Sequence, residues 1–134
     1  MIPLVYVAGP YGDVGGYINI DRNIAVAREA CKWLAENGFY FLCPHMNSAH
    51  FEVITPEVTV EHWYAQDIRL LDACDAMLLV GDWGKSRGVG KEVAYAFANK
   101  MPIFDFNSEV ARRDLEHLHP PDHVATNVAA EAMK

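Results

Sequence analysis

The 134-residue chain is 51% hydrophobic and carries 18 acidic against 11 basic side chains, a formal charge of −7. That length supports one compact domain with a sizeable core and leaves no room for a second. The acidic balance opposes capture of a nucleic-acid polymer, so any nucleotide partner is expected to be small. No segment reaches the roughly 18 apolar residues of a membrane span, and the N-terminus leads into a strand rather than a signal peptide, which together predict a soluble, cytoplasmic protein without membrane contact.

Residues 3–8 form a continuous apolar run closed by Gly9-Pro10, the pattern of a strand buried on both faces. A helix is predicted over 19–37, with Ile24, Ala27, Cys31 and Leu34 on one face and Gly38 just past its end. A strand over 39–43 follows and is stopped by Pro44. The order then runs helix 59–74, strand 76–80, helix 89–100, strand 102–106, and helices 109–118 and 124–133 around a loop holding His117, His119 and His123. Strands alternating with helices imply βαβ crossovers, hence a three-layer α/β fold of Rossmann or flavodoxin type: a parallel sheet of four to five strands, helices on both faces, one domain over 1–134. In such sheets ligands sit beyond the carboxyl ends of the strands. Two glycine-rich segments, 9–16 and 81–90, each follow a strand and are expected to share one crevice. Cys31, Cys43 and Cys74 are odd in number and fall in core-like stretches, as reduced buried thiols do.

The segment Gly84-Lys85-Ser86-Arg87-Gly88-Val89-Gly90-Lys91-Glu92 reads as a glycine-rich basic loop leading into a helix with a carboxylate in its first turn. It is not a Walker loop, because no glycine stands five residues before Gly90 and Glu92 occupies the Ser/Thr position after the lysine. A hydroxyl, free backbone N–H groups and the cations Lys85, Arg87 and Lys91 suit a phosphate or other small anion, and the helix dipole is expected to keep Glu92 ionised. In the helix before it, Val60, Trp63, Tyr64, Asp67, Leu71 and Cys74 share one stripe with Asp67 near its centre. A carboxylate on an apolar stripe caps a loop, pairs with a cation or does chemistry, since its unpaired burial costs several kcal/mol. Asp72 and Asp75 read as solvated or turn acids. Two carboxylates flanking one crevice suit general acid and nucleophile in glycoside cleavage.

These residues resemble a known family, the nucleoside 2-deoxyribosyltransferases and the related 2'-deoxynucleoside 5'-phosphate N-hydrolases. The resemblance is carried by Val5-Tyr6-Val7-Ala8-Gly9-Pro10, by Gln66-Asp67 with Leu70-Leu71 and Cys74-Asp75-Ala76, and by Ser86-Arg87-Gly88-Val89-Gly90-Lys91-Glu92 with Ala96, over roughly residues 4 to 106. It implies that Glu92 is the nucleophile toward the anomeric carbon, that Asp67 serves the departing base or orients the nucleophile, and that the Tyr6 hydroxyl helps position Glu92. It further implies that Gly9 lets the backbone approach the base or sugar. In the hydrolases a serine six residues before the glutamate binds the 5'-phosphate, where the transferases have an aspartate, so Ser86 with Lys85, Arg87 and Lys91 points to a phosphorylated substrate, which Gly88 and Gly90 let the backbone approach closely. Gly9-Pro10-Tyr11 looks more like the transferase loop, because Pro10 stands where the hydrolases have a second serine.

The expected activity is cleavage of the N-glycosidic bond of a (deoxy)nucleoside 5'-monophosphate through a glycosyl ester on Glu92. Base exchange on free deoxynucleosides and a non-catalytic nucleotide-sensing domain stay open. The segment Gly12-Asp13-Val14-Gly15-Gly16-Tyr17 is read as a cover for the base, with Tyr11 or Tyr17 stacking on it. His45 is read as a crevice wall, with Asn47 and Ser48 near the base and Trp83 in the core or the wall. Cys43, His45, His50 and His62 match no usual zinc spacing, so neither metal nor cofactor is expected. A homodimer or higher homo-oligomer is expected, the resemblance implying a pocket completed by a neighbour.

Overall fold

The computed structural model describes residues 1–12 and 16–118, with backbone alone for 16–18. Its strands are β1 (Leu4–Ala8), β2 (Tyr40–Leu42), β3 (Ala76–Leu79) and β4 (Ile103–Asp105). Its helices are α1 (Gly16–Glu36), α2 (Pro44–Asn47), α3 (Phe51–Ile54), α4 (Val60–Asp72), α5 (Arg87–Ala98) and α6 (Glu109–Leu118). The four strands form one sheet in the order β2-β1-β3-β4, every neighbour parallel. Tyr6 pairs with Leu42 on one side and Met77 on the other. This is the Rossmann-like α/β fold expected; the helix predicted over 124–133 lies outside the described residues.

Both faces of the sheet are covered, and the side chains still alternate. Val5, Val7, Ala76, Leu78 and Val80 join Ala27, Cys31 and Leu34 of α1 and Leu115 of α6, while Tyr6, Ala8, Met77 and Leu79 join Leu71 of α4 and Val89 and Ala96 of α5. Period-2 alternation on a doubly covered sheet gives each face its own apolar layer. Cys31, Cys43 and Cys74 are free and buried within these layers. Among the described residues no helix is long and apolar enough to cross a membrane.

Helix ends follow local chemistry. Gly38 takes φ 81°, and the Phe39 N–H donates to the Leu34 carbonyl, closing α1 on the left-handed residue that glycine tolerates best. Thr59 caps α4 by accepting from the His62 N–H, and Ser86 caps α5 by accepting from the Val89 N–H. Three boundaries correct the sequence reading. α1 begins at Gly16, so part of the supposed 12–17 loop is helical backbone. Two one-turn helices, α2 and α3, occupy the 44–54 connection, too short to show a period; α2 starts on Pro44, where a missing N–H costs nothing. α5 begins at Arg87 rather than Val89, which places Gly88 and Gly90 inside a helix despite their poor propensity. Glu92 therefore sits in the second turn and not the first.

Candidate active site

Beyond the carboxyl ends of β1 and β3 lies a cavity of about 380 Å³, within the size range of small-molecule pockets. The turn after β1 gives it Gly9, Tyr11 and Gly12, and the α2–α3 segment gives it His45, Ser48, Phe51 and Glu52. From α4 come Trp63, Tyr64 and Asp67, and from the start of α5 come Ser86, Gly88 and Glu92. The two glycine-rich segments do share one crevice.

Glu92 reaches the cavity because it shares the stripe of α5 that carries Val89 and Ala96, both buried against the sheet. Asp67 holds the matching place on α4, one turn before the fully buried Leu71. Each helix thus sets one carboxyl in the cavity lining within an otherwise apolar stripe. Burial, reinforced by Asp67 and opposed by the Tyr6 hydroxyl, pushes the Glu92 carboxyl up to about 7. The expectation that the helix dipole keeps it ionised is overturned: desolvation outweighs a dipole whose influence fades beyond the first turn. Asp67 is pushed up to about 6, again chiefly by burial, with His45 pulling the other way.

The Tyr6 side chain is wholly buried in β1. Its hydroxyl has the Glu92 carboxylate as polar neighbour but no partner at standard hydrogen-bond geometry, and burial followed by that carboxylate holds its titration far above the ordinary range. Tyr6 therefore keeps its proton and stays neutral beside Glu92. His45 is 5% exposed, and its Nε2–H donates to the Pro10 carbonyl at 2.6 Å, leaving Nδ1 without a hydrogen bond. Burial alone would lower His45, but Cys43, the Pro10 carbonyl and Glu92 together raise it.

Other predicted residues divide. Gly9, Tyr11, His45, Ser86 and Gly88 line the cavity; Pro10, Arg87 and Gly90 do not. Pro10 is buried and contributes its carbonyl to His45, whereas Arg87 and Gly90 are exposed on α5. Gly9 has a packing reason as well as an approach to ligand: a Cβ there would stand 2.6 Å from Val80 Cγ2 and 2.9 Å from the Val80 carbonyl oxygen. A Cβ on Gly88 would meet Tyr64 Cε1 at 3.1 Å. The expected cradle of three cations is not assembled. Lys85 pairs with Asp82 at 3.1 Å, Lys91 lies 4.5 Å from the centre of the Tyr64 ring, and Ser86 Oγ accepts from its own helix. Ser48 lines the cavity while Asn47 is exposed, and Trp83 packs on the core instead of the cavity wall. Asp72 accepts from the Tyr95 hydroxyl and Asp75 from the Leu4 N–H, so both are tied rather than merely solvated. No group of three metal-ligating side chains converges among the described residues. The side chain of Tyr17, with Asp13, Val14 and Gly15, His119 and His123, lies outside them.

Sequence reading missed Glu52. The His50 N–H donates to the Tyr11 hydroxyl at 2.6 Å, and that hydroxyl donates to Glu52 Oε2 at 2.9 Å. The His50 ring stands 3.0 Å from Asp21 and 3.6 Å from Glu52. These contacts join α1, α3 and the turn after β1 across some 40 positions of sequence, and no local pattern announces them. No curated protein matches the sequence. A family model does match residues 3–106, from β1 through β4 with every cavity residue inside the span, and the chain therefore belongs to the family described as a domain of unknown function, DUF7768.

Proposed function

We propose that this chain cleaves the N-glycosidic bond of a small (deoxy)nucleoside 5'-monophosphate through a glycosyl ester on Glu92, releasing the free base. One observation carries the reading: Asp67 and Glu92, on helices packed together, line one apolar cavity of ligand size, and burial raises both carboxyls toward neutrality. Paired carboxyls whose pKa values are raised into the working range are the usual equipment for protonating a leaving group and attacking an anomeric carbon. The resemblance around Tyr6, Asp67 and Glu92 supports the same assignment.

In the first step a Glu92 oxygen bonds to C1', the C1'–N bond breaks, and its electron pair leaves on the base nitrogen, which takes the Asp67 proton. In the second, water adds to C1', its proton passes to Asp67, and the ester bond breaks to restore Glu92. The pair shares one proton between about pH 6 and 7. Burial raises Glu92 further than Asp67, so the productive form, with the proton on Asp67, is the minor one in the empty cavity. Tyr6 opposes that imbalance by favouring ionised Glu92. The 5'-phosphate is assigned to the start of α5, beside Ser86 and Gly88, where the N-terminus of the helix favours an anion.

Base exchange on unphosphorylated deoxynucleosides is the second reading, favoured by the absence of lysine and arginine from the lining among the described residues. Incubation with dCMP, dGMP, thymidine and a free acceptor base, followed by chromatography of released bases, separates the two. Base release from the monophosphates supports the first, exchange with thymidine the second, and binding without product over long incubation favours a nucleotide sensor.

A further inference from the structure

We propose that Glu52 reads the base, and that the cavity selects a base presenting two adjacent N–H donors, as the N1–H and 2-amino group of guanine do. This rests on the N-glycosidic reading above. The described lining carries three carboxylates, Glu52, Asp67 and Glu92, and no lysine or arginine. With Asp67 and Glu92 assigned to the sugar–base bond, Glu52 is the carboxylate left for the base.

Its place in the fold fits that role. Glu52 follows β2, on one side of β1, whereas Ser86, Gly88 and Glu92 follow β3 on the other side. A ligand whose anomeric carbon meets Glu92 and whose 5' end points to the start of α5 therefore turns its base toward the α2–α3 wall. Glu52 is also held before any ligand arrives. Its Oε2 accepts from the Tyr11 hydroxyl, which the His50 N–H fixes from behind, and its Oε1 faces the His50 ring. Tyr11 is pushed up to about 12, chiefly by burial, so it stays a neutral donor. With its hydroxyl already donating and accepting, Tyr11 has little to offer the base beyond its ring.

A carboxylate only accepts, and each oxygen keeps a second lone pair. Guanine offers two neighbouring donors to such a pair. Adenine and cytosine set a ring acceptor beside the amino group, and thymine sets carbonyls on both sides of its single N–H, each of which a carboxylate repels. A carboxylate fixed in advance turns that difference into discrimination, because little ordering remains to be done on binding.

The test compares kcat/KM for base release from 2'-deoxyguanosine and 2'-deoxyinosine, each free and as the 5'-monophosphate, a pair differing only in the 2-amino group. The wild type should favour guanine by roughly tenfold or more, as a charge-assisted hydrogen bond implies. In Glu52→Gln the ratio should fall to about threefold or less, and in Tyr11→Phe part of the way. A merely structural loss lowers both substrates together and leaves the ratio alone, which overturns the assignment, as does an equal rate on both in the wild type. Release of no base from these four with release from dCMP or thymidine overturns this inference alone, and release from none of them overturns the N-glycosidic reading and this inference with it.

Discussion

On the α1/α6 face of the sheet, Val5, Val7, Leu34, Leu78, Val80 and Leu115 pack without a charged side chain among them, whereas on the α4/α5 face the same strands present Tyr6, and the covering helices bring Asp67 and Glu92. Side chains alternate along each strand, so one residue of register separates a layer that only needs to be apolar from one that ends in chemistry. The first face gains from every buried group. The second holds a hydroxyl without a hydrogen bond and two carboxyls whose charged forms are disfavoured by burial, features that oppose stability and are retained in proteins where function needs them.

The largest expected break in this contrast is at Glu92. Glu92→Gln keeps the shape and removes the nucleophile, so base release should fall by roughly four orders of magnitude or more while circular dichroism is unchanged. Asp67→Asn should cost about a hundredfold to ten-thousandfold in kcat, the range of general acid catalysis, and least for substrates whose base leaves easily. On the opposite face, Leu34→Ala should destabilise the fold by about 2–5 kcal/mol in denaturant titration and leave kcat per folded molecule unchanged.

Tyr6→Phe sharpens the contrast further. At pH 5.5, where Glu92 is protonated, removing a buried hydroxyl without a hydrogen bond should leave stability equal or improved. The loss of its influence on Glu92 should raise the upper apparent pKa of the pair, so that the optimum between about pH 6 and 7 flattens and its alkaline limb moves to higher pH, with about a tenfold fall at the maximum. The smallest effect is on stability against pH. Both carboxyls have folded pKa values above the ordinary range, so the native state binds more protons than the unfolded one between about pH 4 and 7. Stability from this source is present at the acid end and lost as pH rises through about 7. The fall in Tm between pH 5.5 and pH 8 should therefore be smaller by a few degrees in Glu92→Gln than in the wild type.

The fold was legible because its strongest signals are long-range in effect but local in sequence. The apolar runs at β1 and β3, the stripe of α1 closed by Gly38 and the break at Pro44 each declare an element. Asp67 was legible for the same reason, a carboxyl on an apolar helical face, and Glu92 from the glycine-rich segment that leads into its helix. Helix limits near Gly16 and Gly88 were not, because glycine's propensity argues against both, and at α5 the Ser86 cap and the burial of Val89 overrode it. Nor could spacing reveal that Lys85 and Lys91 would turn to Asp82 and Tyr64, or that Glu52 would meet Tyr11. Such contacts depend on which loops the sheet order brings together.

The central claim is a covalent bond between substrate and Glu92. Rapid quenching during turnover of a deoxynucleoside monophosphate, followed by peptide mass spectrometry, should find the sugar phosphate attached to the peptide containing Glu92 and absent from Glu92→Gln. Undiminished base release by Glu92→Gln, or an adduct on another residue with Glu92 unmodified, would contradict the account.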